Sequence, residues 1–218
     1  MPVPFAIDVI IDLSSSNVLS GILNVETANS FTLRPIQPPI FNRDAALPRK
    51  MVTFNLAYTA PVNPAGATPA LTLPQIWAGL ERKVRKAQEF VPIIEECTVL
   101  SEETSQEAGN FTIVREVRFK AGFEPGSGGV LVKETCVHYP PCRVDFKQPD
   151  GSSVSNVVSA GPDGELLMTY VFEWRYPGVK EGSEEAKALE EKSWKTAKMA
   201  VHGSIDTIRR LVKDSEIQ

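Results

Sequence analysis

The feature that most constrains the fold is the order in which strand-like and helix-like segments follow one another. One strand-like segment precedes an amphipathic helix; a series of strand-like segments and one long amphipathic helix come next. Strands are expected at residues 52–59, 93–100, 111–120, 130–139, 143–147, 154–158 and 165–176, and helices at about 73–90 and 184–212. A single long helix that follows a curled sheet buries its apolar stripe across the concave face, so sheet and helix enclose a space.

Turn signals separate the consecutive strand segments. They are residues 105–109, 125–129, Pro140-Pro141, Pro149-Asp150-Gly151 and Pro162-Asp163-Gly164. Short, regularly spaced connections of this kind indicate antiparallel pairing. The sequence therefore predicts an α+β protein with a helix-grip fold, in which a curved antiparallel sheet of about seven strands wraps round a long C-terminal helix.

The first helix begins with a recognisable N-terminal signal. Thr72 is followed three residues later by Gln75, which is the spacing of a capping box, and Pro74 stands in the first turn. The expected buried stripe consists of Leu73, Ile76, Trp77, Leu80, Val84 and Ala87. The charged residues are expected on the solvent face; they are Glu81, Arg82, Lys83, Arg85 and Lys86.

Residues 1–50 differ in character from the rest of the chain. They contain several of the 17 prolines and show no helical period, although apolar residues alternate at residues 5–13. We expect residues 51–218 to form the folded domain. Residues 1–50 are then either a poorly ordered N-terminal extension or contribute an added edge strand at residues 5–13.

Composition and charge exclude several classes of protein. The net charge is −4 and no basic stripe is present, which argues against nucleic acid or an anionic membrane as a partner. Three cysteines are too few for a disulfide framework, and no apolar window is long enough for a membrane helix. Without a visible signal peptide, the sequence predicts a cytoplasmic protein. Only two histidines are present and no phosphate-binding glycine loop is found, so neither a metal nor a cofactor is expected.

One pair of charged residues breaks the apolar faces of two consecutive strands. Arg115 alternates with Ile113 and Val117, and Glu134 alternates with Val132 and Cys136. If Phe119 faces Val130 across the hairpin, Arg115 lies opposite Glu134, and two inward charges need one another because burying either alone is costly. The pair is either a structural ion pair or a ligand-orienting or acid–base pair, and its residues would be the catalytic ones if the protein is an enzyme.

Aromatic residues and one histidine share these inward faces and are candidate ligand-binding residues beside Arg115 and Glu134. The expected set is Tyr58, Trp77, Phe90, His138, Tyr170, Phe172 and Trp174. The segment from Cys136 to Cys142 holds three potential metal ligands, but a second half of a paired site is missing. A strand end before a Pro-Pro turn explains it better.

Several short motifs resemble one known family. They are Asn55-Leu56-Ala57-Tyr58-Thr59, Leu73-Pro74-Gln75-Ile76-Trp77-Ala78-Gly79-Leu80, Phe90-Val91-Pro92, Val132-Lys133-Glu134 and Thr169-Tyr170-Val171-Phe172-Glu173-Trp174-Arg175. On these motifs, residues 51–218 resemble the AtaL-like family of the START and birch-pollen-allergen (SRPBCC) superfamily. The resemblance implies a helix-grip fold with an internal cavity, and it includes no part of residues 1–50.

The resemblance leaves the chemistry open, because the superfamily includes lipid carriers, hormone receptors and aromatic cyclases. The leading interpretation is binding of a hydrophobic or aromatic small molecule in the cavity, for example an intermediate of fungal-type secondary metabolism. An alternative is a cofactor-free cyclase or isomerase that uses Glu134 as acid or base, with Arg115 stabilising charge. A further alternative is a non-catalytic interaction protein with a filled core.

Overall fold

The computed structural model describes residues 51–104, 109–120 and 130–218. The helices are α1 (Leu73–Arg85), a short 3₁₀ helix (Ala87–Glu89) and α2 (Glu184–Lys213). The strands are β1 (Met51–Pro61), β2 (Ile94–Thr104), β3 (Phe111–Phe119), β4 (Leu131–Tyr139), β5 (Arg143–Lys147), β6 (Ser153–Ala160) and β7 (Leu166–Pro177). The strand predicted at residues 5–13 and the turns at 105–108 and 125–129 lie outside the described residues.

The seven strands of the described part form one antiparallel sheet in the order β1-β7-β6-β5-β4-β3-β2. Apart from the β1–β7 pair, every pair joins strands that are consecutive in the chain. α2 packs on β1 and β7, and α1 contacts α2, β2, β3 and β6. The prediction of an antiparallel sheet with a long closing helix is confirmed.

Alternation along the strands places the expected residues on the inner face. On β7, Met168, Tyr170 and Phe172 are buried, and on β3, Ile113 and Val117 are fully buried. The prediction for β4 is wrong at its first residue, because Val130 precedes the strand and is exposed. Val130 does face Phe119 as predicted, since its carbonyl oxygen accepts a hydrogen bond from the Phe119 backbone N–H at 3.3 Å, but at the end of the hairpin its side chain is not covered.

α2 begins with a side-chain cap and buries one stripe of its surface. The hydroxyl of Ser183 accepts a hydrogen bond from the backbone N–H of Ala186, and Glu184 and Glu185 stand in the first turn. Its buried stripe is Ala186, Ser193, Ala197, Val201, Ser204, Ile205, Ile208 and Leu211. Trp194, which follows the buried Ser193, lies beside the stripe and is 45% exposed.

The capping box of α1 is present. The Thr72 hydroxyl accepts a hydrogen bond from the backbone N–H of Gln75, and the Gln75 side chain accepts one from the backbone N–H of Thr72. The helix is shorter than predicted and ends at Arg85, after which the chain turns through the 3₁₀ helix. α1 also approaches α2 closely: a Cβ on Gly79 would lie 2.4 Å from Cγ1 of Ile208.

One residue of α1 contradicts the sequence prediction. Lys83 was expected to face solvent with the other charged residues, yet its side chain is buried. It lies seven residues after Ile76 and three after Leu80, which is the spacing of the buried stripe. The sequence prediction was wrong for Lys83 because the neighbouring basic residues indicated a single solvent-exposed face.

Candidate ligand site on the inner face of the sheet

The predicted ion pair lies inside the protein. Arg115 on β3 and Glu134 on β4 are direct partners in the register of the hairpin. The guanidinium donates to Oε2 of Glu134 from Nη2 at 2.6 Å and from Nε at 2.8 Å. Arg115 is 3% exposed and Glu134 is 6% exposed. The predicted register and the predicted inward orientation of both residues are therefore correct.

The other polar atoms of this pair are also occupied. Nη1 of Arg115 donates to the backbone carbonyl oxygens of Lys83 and Val84, each at 2.9 Å, in the last turn of α1, where carbonyls lack intrahelical partners. Nε2 of Gln148 donates to Oε1 of Glu134 at 3.0 Å. Arg115, Glu134 and Gln148, named here the ion-pair cluster, thus join the end of α1 to the sheet.

Electrostatics keep the guanidinium charged despite its burial. Burial is the largest single influence and would lower the pKa of Arg115, but the charge of Glu134, its hydrogen bond and the neighbouring thiols of Cys136 and Cys97 together raise the pKa above its ordinary value. The ring of Phe146 adds a cation–π contact, with its centroid 4.9 Å from the guanidinium carbon. Each side-chain nitrogen of Arg115 and each carboxylate oxygen of Glu134 has a hydrogen-bond partner, which is the arrangement expected of a structural ion pair.

A second set of polar side chains crosses the inner face of the sheet in a single line. Tyr58 on β1 pairs with Tyr170 on β7, and Tyr170 pairs with Asn156 on β6. Asn156 pairs with Val144 on β5, which pairs with His138 on β4. The four polar members, Tyr58, Tyr170, Asn156 and His138, are named here the polar row.

His138 offers a hydrogen-bond acceptor that no described residue occupies. Its Nδ1 lies 3.2 Å from the backbone carbonyl oxygen of Phe111, and since a carbonyl can only accept, Nδ1 carries the proton. Burial lowers the pKa of His138, so the ring is neutral near pH 7 and Nε2 has a free lone pair. This buried Nε2 has no partner among the described residues.

Aromatic rings fix the orientation of His138. The Phe111 ring lies 5.4 Å away and the Trp77 ring of α1 lies 6.2 Å away, the latter edge to face. The imidazole is thus held from two sides.

Asn156 presents a second unpaired group in the same row. The residue is 0% exposed, and neither its amide oxygen nor its amide nitrogen has a partner among the described residues. Buried side-chain amides are normally hydrogen-bonded, since leaving one unpaired costs about 1–3 kcal/mol. The sequence analysis missed Asn156, although its alternation with Val154 and Val158 in a predicted strand marks it as inward.

Lys83 reaches the row from α1. Its Nζ lies 3.1 Å from the hydroxyl of Tyr170 and 3.3 Å from the hydroxyl of Ser204 on α2. Burial lowers the pKa of Lys83 to about 7, and the nearby charge of Arg115 acts in the same direction. Burial raises the pKa of Tyr170, so its phenol stays protonated at neutral pH.

The structure brings together some of the predicted ligand-binding residues and leaves others at the periphery. Tyr58, half-buried at one end of the row, is hydrogen-bonded to Nε2 of His202 at 3.1 Å. Phe172 and Trp174 lie further along β7, with ring centroids 4.4 Å apart. Phe90 is buried in the main apolar core.

Other candidate features of the described residues lie elsewhere. A cleft of about 340 Å³ is lined by Lys133, Thr135, Lys147, Gln148 and Pro149 on the outer face of the sheet. Within the described ranges, no three His, Cys, Asp or Glu side chains are grouped so that they could hold a metal ion. No helix in these residues is long and apolar enough to cross a membrane.

The curved seven-stranded sheet, the closing helix and the polar inner face define a helix-grip protein. Within that class the chain belongs to the AtaL family: the family model described as Acetylaranotin biosynthesis cluster protein L matches residues 56–215. A curated relative of that name from Aspergillus terreus is 32% identical over 158 residues, which cover 72% of this chain and 89% of the relative.

Two solved structures show remote similarity. The Zhui aromatase/cyclase from Streptomyces sp. R1128 is 15% identical with a TM-score of 0.47, covering 75% of this chain and 96% of that chain. Ara h 8.0201 is 11% identical with a TM-score of 0.45, covering 76% of this chain and 99% of that chain. The predicted family is thus confirmed by the family model and the curated relative.

Proposed function

We propose that this protein binds a hydrophobic small molecule, an intermediate of secondary metabolism, against the polar row, between the inner face of the sheet and the two helices. The observation that carries the proposal is the unpaired state of His138 Nε2 and of the Asn156 amide. Both are buried, and a native structure retains such groups where a ligand or an ordered water satisfies them. The name of the Aspergillus terreus relative, which refers to a biosynthesis cluster, supports the metabolic context.

The spacing of the two unpaired groups indicates the size of the ligand. His138 and Asn156 stand on β4 and β6 with β5 between them. Neighbouring strands are about 4.8 Å apart, so the two side chains begin about 10 Å from one another. Apolar and aromatic residues supply the surroundings, with Val144 between the two groups and Trp77 beside His138. This arrangement suits a flat ligand of about two fused rings with polar groups at its ends.

The polarity of each group adds to this description. Because Nε2 of His138 can only accept, the ligand must direct an O–H or N–H towards it. The Asn156 amide can both donate and accept, so it fits a hydroxyl or a carbonyl. A phenol or an enol at the His138 end meets these requirements.

The ion-pair cluster takes a different role in this proposal. Arg115 and Glu134 were candidates for acid–base catalysis, but both oxygens of Glu134 already accept hydrogen bonds. An acid or base must lie within hydrogen-bond reach of the ligand, and both oxygens of Glu134 are instead directed at Arg115 and Gln148. We therefore assign Arg115 and Glu134 to positioning α1 on the sheet.

The proposal is tested with 2-naphthol and naphthalene, two probes that differ by a single hydroxyl group. Binding of each is measured by fluorescence titration of the full chain. We expect 2-naphthol to bind about tenfold more tightly than naphthalene, which corresponds to one net hydrogen bond. In His138→Phe, which keeps a ring between Phe111 and Trp77 but removes the acceptor, this preference should disappear.

A control variant guards against a general effect on the interior. Val157→Ala lies on β6 between two inward positions and should keep the preference for 2-naphthol. Failure of both probes to bind would overturn the proposal. A preference for 2-naphthol that is equally strong in His138→Phe would overturn the assignment of the polar row.

A further inference from the structure

We propose that Lys83 is a nucleophilic amine that condenses with a carbonyl group of the bound ligand to form an imine. The inference rests on the proposed function, because it requires a ligand at the polar row. It adds the chemical class of that ligand, an aldehyde or ketone, and a covalent step.

The position of Lys83 is the first support. A lysine on a surface helix normally extends into water, but this one lies on the buried stripe of α1. Its Nζ is enclosed by the hydroxyls of Tyr170 and Ser204 and by two aromatic rings. Tyr170 belongs to the polar row, so the amine stands at the same surface as the unpaired groups.

The second support is that Lys83 has no anionic partner among the described residues. A buried ammonium is normally paired with a carboxylate, but no Asp or Glu side chain of the described ranges lies within 4.0 Å of its Nζ. The nearby carboxylate of Glu134 is occupied by Arg115 and Gln148. Its neighbours are two hydroxyls and two aromatic rings, and none of these supplies the full negative charge that would hold the amine as a buried ammonium.

The charges that face the amine favour its neutral form. Burial and the positive charge of Arg115 on β3 lower the pKa of Lys83 to about 7, while Glu134 and Cys136 on β4 act in the opposite direction. Tyr170 on β7 and Cys136 are themselves neutral at pH 7, because burial raises the pKa of both. About half of the amine therefore carries a free lone pair at neutral pH, and a desolvated lysine beside another cation is the usual form of a nucleophilic lysine.

The neighbouring groups fit the steps of the condensation. The lone pair of Nζ attacks the carbonyl carbon, and the carbonyl π electrons move to oxygen, which takes up a proton. Loss of that oxygen as water, with both hydrogens coming from the amine, leaves a C=N bond. The phenol of Tyr170, 3.1 Å from Nζ, can relay the proton to the departing hydroxyl. Asn156, its partner on β6, has an unpaired amide N–H for the carbonyl oxygen.

The inference is tested with 2,4-pentanedione, a small diketone that forms a stable enaminone with neutral amines through the same loss of water. The full chain is incubated with the probe at pH 7, and the intact mass and peptide map are recorded. The peptide map should show an adduct on Lys83, heavier by the diketone less one water; the α-amino group, with an ordinary pKa of about 8, also reacts and is counted separately. Labelling of Lys83 should exceed that of exposed lysines by at least about tenfold, because an ordinary lysine is almost entirely protonated at this pH.

Two matched variants and a pH series complete the experiment. Lys83→Met keeps the length of the side chain without the amine and should lose the adduct, whereas Lys86→Met, at the end of the same helix, should keep it. In the unmodified chain, the rate of labelling should rise with pH and level off above about pH 7 to 8. This measurement does not depend on whether a variant folds. Adduct on exposed lysines at the same rate as on Lys83 would overturn the inference. So would the absence of a Lys83 adduct in protein that binds 2-naphthol, and that result would leave the proposed function intact.

Discussion

The ion-pair cluster and the polar row occupy the same inner face of the sheet, yet they differ in how their polar atoms are satisfied. In the cluster, two full charges are buried, and Nε, Nη1 and Nη2 of Arg115 and both oxygens of Glu134 have partners within the protein. In the row, the groups are neutral, and His138 and Asn156 keep unpaired atoms among the described residues. The charged region is complete and the neutral region is not.

Whether the buried polar atoms have partners distinguishes a structural site from a ligand site more clearly than the types of residue do. A buried ion pair attracts attention in a sequence because charge is expensive to bury. The partners of this pair all lie within the protein, however, so its burial is explained without a ligand. A buried amide or imidazole with a free atom is less conspicuous, but it has capacity for a partner. The comparison can be tested by changing one member of each region.

The largest effect is expected from breaking the cluster. Arg115→Met removes the counter-charge of Glu134 and the donors to the last carbonyls of α1, and we expect the free energy of unfolding to fall by about 3–5 kcal/mol. Urea denaturation measures it. Arg118→Met on the same strand removes only an exposed pair with Glu96 and should cost less than about 1 kcal/mol. Equal losses in the two variants would show that the buried cluster is not a structural centre.

The second effect is a pH dependence caused by Lys83. Its pKa is about 7 in the folded protein against 10.5 ordinarily, so above pH 7 the unfolded chain holds a proton that the folded chain has lost. Stability should therefore rise with pH, by about 2–3 kcal/mol between pH 7 and 9. Higher pH is avoided, because the raised pKa values of Cys136 and Tyr170 act in the opposite direction there.

Lys83→Met is the control for this pH dependence. The variant should be more stable than the unmodified protein at pH 6 and should lack the rise between pH 7 and 9. Denaturation curves at four pH values are sufficient. An equally steep rise in Lys83→Met would assign the pH dependence to other groups.

In the polar row we expect a smaller change in the free energy of unfolding, in the stabilising direction. Asn156→Leu replaces an unpaired amide by an apolar side chain of similar shape, and should raise the free energy of unfolding by about 1 kcal/mol. Ser152→Ala, next to the start of β6, removes a buried hydroxyl that accepts from the Arg175 backbone N–H and donates to Asp150, and should lower stability. A loss of stability in Asn156→Leu as large as in Ser152→Ala would show that the row is complete as well.

The cluster could be predicted from the sequence, and the row only in part. Alternation put Arg115 and Glu134 on apolar faces, and the hairpin register fixed them as partners, because both depend on two adjacent strands alone. His138 followed from the same alternation. That its Nε2 is unpaired depends on residues from other elements, which spacing along one strand does not specify.

Lys83 and Asn156 show two further limits of prediction from sequence. The helical spacing of Lys83 was sufficient to place it inside, but its charge argued for solvent, and burial against hydroxyl groups on β7 and α2 prevailed. Asn156 alternates with Val154 and Val158, so its inward position could have been predicted, but not that its amide has no partner among the described residues. For both residues, the surroundings are formed by segments far apart in the chain, which spacing within one element does not specify.

The smallest effect is expected from removing residues 1–50. The ion-pair cluster and the polar row both lie within residues 51–218, and so does the family match at residues 56–215. A chain that begins at Met51 should therefore keep its free energy of unfolding within about 1 kcal/mol and its preference for 2-naphthol, since few buried groups would be lost. Thermal and urea denaturation with the 2-naphthol titration check both.

A loss of more than about 2–3 kcal/mol would mean that residues 5–13 form an integral edge strand, because that is the contribution of one or two buried apolar side chains. Loss of 2-naphthol binding in a folded, stable protein would contradict the prediction that residues 51–218 are sufficient for binding.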